Sequence, residues 1–187
     1  AALSGTGADI GAARLQEFVL PYHPDLLFVE YRVNASGIKA HQGIEGIVRR
    51  IKAANPETDI CFVYTLGIWM TKTLSAGKQT GYGSKMEEIA NYYGIPSVDF
   101  APEVLQLLKA DKLSFKVPKK EKGKLWFTKD NCHPTEEGHD LYRDIIARSF
   151  IKMSKQNVGK TSLKKLPEPI YQDHYNKARF LALSTKK

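Results

Sequence analysis

An acid and an imidazole stand three residues apart in Asp130-Asn131-Cys132-His133-Pro134, and Gly138-His139 follows at the start of an amphipathic helical pattern. A carboxylate that holds one ring nitrogen fixes the imidazole's tautomer and stabilises its cation, which suits a general base in acyl transfer. The bland alternative is a helix-start turn in which Asp130 accepts backbone N–H groups. Asn34, in Val33-Asn34-Ala35-Ser36-Gly37, closes an apolar strand. Its amide can donate to a developing oxyanion, and losing such a donor costs about 3 kcal/mol of barrier. Asn also favours strand-end turns for its own sake. Gly5, in Leu3-Ser4-Gly5-Thr6-Gly7, can offer a backbone N–H or be a plain loop glycine. Trp69 and Met70 follow another strand end, where they can wall an acyl or sugar pocket or simply be core. No convincing serine nucleophile precedes these residues.

The elements that must bring these side chains together are legible as alternating patterns. Leu15, Phe18 and Val19 mark a helix from Asp9 to Leu20, broken by Pro21 and Pro24. Residues 26–33 form a mostly apolar strand, as does Ile60-Cys61-Phe62-Val63-Tyr64, and residues 95–100 are a short third one. Ile44, Ile47, Val48 and Ile51 mark a helix ended by Asn55-Pro56. After a loop over 67–83, Ser84-Lys85-Met86-Glu87 reads as a capping box for a helix with Met86, Ile89, Ala90 and Tyr93 inward and Gly94 as its stop. Val104, Leu105 and Leu108 give another helix. The last runs from Thr135 to about Met153, with Leu141, Ile145, Phe150 and Met153 inward. Strands alternating with helices predict a three-layer α/β/α domain on a parallel sheet. Ligands in such sheets bind beyond the carboxyl ends of the strands, so Asn34, 67–69 and 130–133 are expected on one rim. The expected division is a domain over 1–155 and a basic linker and tail over 156–187, with Leu166-Pro167-Glu168-Pro169 as linker.

Bulk properties narrow the function. The chain has 187 residues with 42% hydrophobic content, enough for one real core, and no apolar run reaches the ~18 residues of a membrane span. Residues 1–20 show neither a basic start nor a continuous apolar stretch, so no signal peptide is read there. The formal net charge is +8. Its excess sits in Lys112, Lys116, Lys119, Lys120, Lys122, Lys124 and Lys129, and in Lys152, Lys155, Lys160, Lys164 and Lys165. Aromatics are not interleaved with these lysines as a nucleic-acid stacking platform requires, so a solvated loop and tail are expected. Cys61 and Cys132 make neither a disulfide framework nor a zinc cluster, and no His or Cys grouping has metal-ligand spacing. No metal and no cofactor are expected. His139 is expected to be structural, and His23, His41 and His174 have no partner pattern.

Taken in order, Ser4-Gly5, Val33-Asn34 and Asp130-x-x-His133-Pro134 resemble the blocks of the SGNH (GDSL-like) hydrolases, flavodoxin-like esterases and acylhydrolases. The resemblance covers residues 3–139. It implies a serine ester hydrolase acting on a small ester such as an acylated sugar, with His133 as base, Asp130 as its orienting acid, and Asn34 and Gly5 in the oxyanion hole. It also leans toward an exported protein. The departures are that the family's nucleophile lies upstream of the Gly block, within a Gly-Asp-Ser-type turn, and that its Asn is often followed by Asp where Ala35 stands here. The expectation is therefore a domain without its first strands, completed by another segment or chain that carries the serine, and a fragment that alone does not turn over an ester.

Two rivals stand beside this reading. One is a non-catalytic module that keeps the fold and pocket. The other is a dinucleotide site, with Gly5, Gly7 and Gly11 before a helix and Glu30 about 20 residues on as a ribose acid, although the third glycine is one residue too far.

Overall fold

Each of the apolar runs forms its element in the computed structural model, which describes residues 5–34, 39–115, 120–156 and 166–180. In chain order these are α1 (Ala8–Phe18), β1 (Leu26–Val29), α2 (Ala40–Ala54), β2 (Asp59–Tyr64), α3 (Thr71–Ser75), α4 (Gly81–Tyr93), β3 (Ser97–Asp99), α5 (Ala101–Lys109), β4 (Leu113–Ser114), β5 (Leu125–Trp126) and α6 (Glu136–Ser154). Strands β1, β2 and β3 make one parallel sheet in that order, with Leu27 opposite Ile60 and Val63 opposite Val98.

Strand β2 shows why there are three layers. Successive side chains of a strand point to opposite faces. Ile60, Phe62 and Tyr64 join a cluster with Leu15 of α1, Ile44 and Val48 of α2, and Ile89 of α4. Cys61 and Val63 join the other, with Val104 of α5 and Leu141 and Ile145 of α6. Both faces are thus covered, as a central parallel strand requires. The α1–α2 crossing is close because Gly43 has no side chain: a Cβ there would lie 2.6 Å from the backbone of Ala8 and Asp9.

Several boundaries differ from the pattern-based expectation for local reasons. Strand β1 stops at Val29 rather than Val33, because the Glu30 carboxylate accepts the N–H of Arg32 at 2.9 Å and turns the chain. Helix α4 starts at Gly81, capped by the Thr80 hydroxyl accepting Gly83 N–H at 3.1 Å, so the capping box expected at Ser84 lies inside the helix. Gly94 does end it, in the left-handed region at φ 65°. The lysine-bearing loop, expected to be irregular, contributes the short parallel pair β4–β5.

Residues 166–180 pack back on the domain. The fully buried Glu45 carboxylate of α2 accepts the Tyr93 hydroxyl at 2.5 Å and the N–H groups of Ile170 and Tyr171 at 2.7 and 2.8 Å. Tyr175 N–H donates to Gln42 O, and its backbone lies against Gly46, where a Cβ would be 2.6 Å away.

Candidate active site

The acid–imidazole pair sits on a loop whose base is clamped. Thr128 and Pro134 form an isolated antiparallel bridge, and Thr135 N–H donates to Phe127 O at 2.9 Å. Thr135 then caps α6, its hydroxyl accepting Gly138 N–H at 3.2 Å. Gly138 is required by close approach, since a Cβ there would meet Phe127 O at 2.5 Å. The first turn of α6 therefore seats directly on the backbone leading into the loop. Asn131 turns the loop itself, at φ 73°, a conformation Asn tolerates better than most residues.

Within this loop the two readings of Asp130 are both realised, one on each oxygen. Oδ1 accepts Cys132 N–H at 3.0 Å and His133 N–H at 2.8 Å, as a turn-forming Asp does. Oδ2 lies 2.6 Å from His133 Nδ1. Hydrogen bonding to the His133 ring, then to the two backbone N–H groups, holds the Asp130 carboxyl far below the usual carboxylate range. The His133 side chain is 78% exposed, so its second ring nitrogen can reach a substrate or a hydroxyl.

The segment after β2 is bonded to this loop. Ile68 N–H donates to Asn131 O at 2.9 Å, tying the segment after β2 to the Asp130–His133 loop. Burial, then the charges of Asp130 and of Glu30 just past β1, push the Cys132 thiol up. Glu30 itself is half-buried, and desolvation raises its carboxyl above the ordinary value despite hydrogen bonds from Arg32, Val33 and Thr65. Asn34 is exposed and, with Thr6 beside Gly5, lines a groove of about 510 Å³ between β1 and α1 that also takes in Glu30. Gly5 adopts φ 69°. Ser4, Ala35, Ser36 and Gly37 lie outside the described residues.

The two pocket candidates part company. Trp69 is 57% exposed, whereas Met70 is buried in the cluster under α5 and α6. His139 is exposed in the first turn of α6.

Composition and periodicity missed Arg32 and Asp99. The Arg32 guanidinium is fully buried and lies 2.9 Å from each Asp99 oxygen, and it donates to Tyr64 O and Thr65 O at 2.9 and 2.7 Å. This bidentate pair ties the carboxyl ends of all three strands into one rim. The available signal was an arginine inside an otherwise apolar run, a position that demands an internal partner.

Other features bear on the dinucleotide alternative and on the lysines. Glu30, the ribose acid of the dinucleotide alternative, spends its carboxylate on backbone N–H groups, and the space beside Gly11 is taken by the Tyr31 hydroxyl. Lys120 pairs with Glu137, and Lys124 with Asp111 and Glu121. Lys116, Lys119, Lys160, Lys164 and Lys165 lie outside the described residues. Among the described residues no group of three His, Cys, Asp or Glu could hold a metal ion, and no helix is long and apolar enough to cross a membrane.

Comparison with known proteins places the fold. The chain superposes on a two-domain esterase (CEX) active on acetylated mannans. In its complex with mannopentaose the TM-score is 0.69 at 21% identity, covering 94% of this chain and 42% of that one. Without that ligand the TM-score is 0.70 at 22% identity, covering 91% and 42%. At such identity the likeness is one of fold, and this chain spans 42% of the esterase's length. No family model and no curated protein sequence matches the chain.

Proposed function

We propose that this chain is the acid–base part of an SGNH-type serine ester hydrolase acting on an acylated, and specifically an acetylated, carbohydrate. The observation that carries the reading is the 2.6 Å contact between His133 Nδ1 and Asp130 Oδ2 on a clamped loop at the rim of a parallel sheet. In this mechanism His133 takes the proton of a serine hydroxyl as it attacks the ester carbonyl, then gives it to the leaving alcohol. Asp130 holds the tautomer and stabilises the imidazolium. Asn34 and Gly5 donate to the oxyanion. The two-domain esterase that shares this fold is active on acetylated mannans, which supports an acetylated polysaccharide or oligosaccharide as substrate.

The serine in this reading comes from a segment outside these 187 residues, or from another chain. Support comes from β1, which among the described residues pairs with β2 alone and leaves Leu26 and Phe28 partly exposed on one face. Parallel sheets are normally covered on both faces, and an edge strand is a template for a further one. A parallel strand added there would end at the rim that carries Asn34 and Glu30.

The test compares the 187-residue chain with the complete protein on an activated acetyl ester. The complete protein is expected to turn it over, with His133→Ala losing about 10⁴-fold or more in kcat while folding normally. Turnover by the isolated 187-residue chain, abolished by the same substitution, would show that the nucleophile lies within it. A complete protein that binds acetylated sugar but hydrolyses nothing would establish the non-catalytic module instead.

A further inference from the structure

Trp69 takes no part in the acid–base chemistry, yet it stands one residue from the hydrogen bond that joins its loop to Asn131. Its ring is held in place. A Cβ at Gly67 would meet Cη2, Cζ3 and Cζ2 of that ring at nearly equal distances, 2.5 and 2.6 Å for the latter two. Near-equal separations from three adjacent ring atoms place that position over the ring's face rather than at its edge. One face of the indole is thus seated on the Gly67 backbone, and the exposed surface is the opposite face. The turn beneath is pinned by Met70 N–H to Gly67 O at 3.0 Å, Thr71 hydroxyl to Ile68 O at 2.7 Å, and Ile68 N–H to Asn131 O at 2.9 Å. Ile68, its neighbour in the chain, is 38% exposed.

Such a plate selects among ligands. It lies outside the 510 Å³ groove along β1, where an acyl chain would find apolar walls. The chain's formal net charge of +8 disfavours a cation on the open face. A neutral sugar ring is a good match: the negative face of an aromatic ring attracts positively polarised C–H groups, and a rigid plate loses little entropy on binding. The side of the site follows from the chemistry. His133 hands its proton to the leaving alcohol, and the Ile68–Asn131 bond joins the Trp69 turn to the His133 loop, so the alcohol is the part of the substrate assigned to the plate.

We infer that Trp69 is the platform on which a neutral sugar ring of the leaving alcohol stacks; this rests on the ester-hydrolase reading above. The experiment is a binding titration of the 187-residue chain with a panel of neutral β-1,4-linked hexose and pentose pentasaccharides. In a Trp126→Phe background Trp69 is the sole tryptophan, because the chain has only two. Saturable change in its emission is expected with at least one member of the panel. By calorimetry Trp69→Ala should weaken that binding by about tenfold or more, while Trp69→Phe keeps most of it. Gly67→Ala, which evicts the ring from its seat without deleting it, should also weaken binding, with circular dichroism unchanged. No saturable change with any pentasaccharide, or equal binding by Trp69→Ala, would overturn the inference. The readout needs no turnover, so the two readings fail separately. Hydrolysis of an acetyl ester without sugar binding sinks only this inference, whereas sugar binding lost in Trp69→Ala without hydrolysis sinks the hydrolase and leaves Trp69 a sugar platform with no leaving alcohol.

Discussion

Asp130 divides its two oxygens between the backbone and a side chain: Oδ1 builds the turn through two backbone N–H groups, and Oδ2 holds the imidazole. The turn itself therefore supplies the carboxylate's orientation, and the pair forms although both side chains are more than half exposed. Glu30 is the opposite case, a half-buried carboxyl raised by desolvation. Its folded-state value lies above its unfolded one, so its contribution to stability is complete below the unfolded value of about 4.3 and is lost as pH rises through the folded value. Asp130, depressed in the fold, acts in the opposite sense, losing stability as pH falls below about 3.9. His41, lowered by burial and by Lys85, acts in the opposite sense to Glu30 over the same range, so the test is a difference. In urea unfolding between pH about 4.5 and neutrality, the stability of wild type relative to Glu30→Gln should fall as pH rises. A difference that stays constant with pH would exclude the Glu30 contribution.

Helices α2 and α4 carry a dependence on the far end of the chain that their own apolar faces do not reveal. The buried Glu45 carboxylate accepts three donors, one from Tyr93 and two from residues 170–171. Arg49 adds Pro167 O at 2.6 Å, and Tyr92 adds Glu168 O at 2.8 Å. Replacing a buried acceptor strands its donors at a cost of roughly 1–3 kcal/mol each before relaxation to water. Glu45→Ala is expected to lower unfolding stability by about 2–4 kcal/mol. Amide exchange at Ile170 and Tyr171 should accelerate in the same variant. Retained protection at those two amides would show that the segment is held by its apolar contacts rather than by the carboxylate.

At the scale of the molecule the unbalanced feature is the outer edge of β1. An unpaired apolar edge is a template for another strand, whether from a completing segment or a second copy. The +8 charge opposes self-association without covering the edge. Sedimentation velocity on the 187-residue chain should reveal concentration-dependent association. Leu26→Lys, which puts a charge on a strand residue already 37% exposed, should weaken it by about tenfold. Identical association in the variant would locate the sticky surface elsewhere.

The sequence by itself determined the alternation of strands and helices, and hence the parallel three-layer fold, because burial on two faces leaves continuous apolar runs such as Ile60-Cys61-Phe62-Val63-Tyr64. It also displayed the Asp130–His133 pair, since a contact over three residues is settled by local turn geometry. What only the tertiary structure decided are the long-range facts. Arg32 finds Asp99, Glu45 captures residues 170–171, and Trp69 turns outward over Gly67 while Met70 turns into the core. Each depends on which polar group or backbone happens to lie across a gap of packed elements. Residue spacing carries no record of that, because a buried charge or a free ring face is defined by its neighbours in space rather than in the chain.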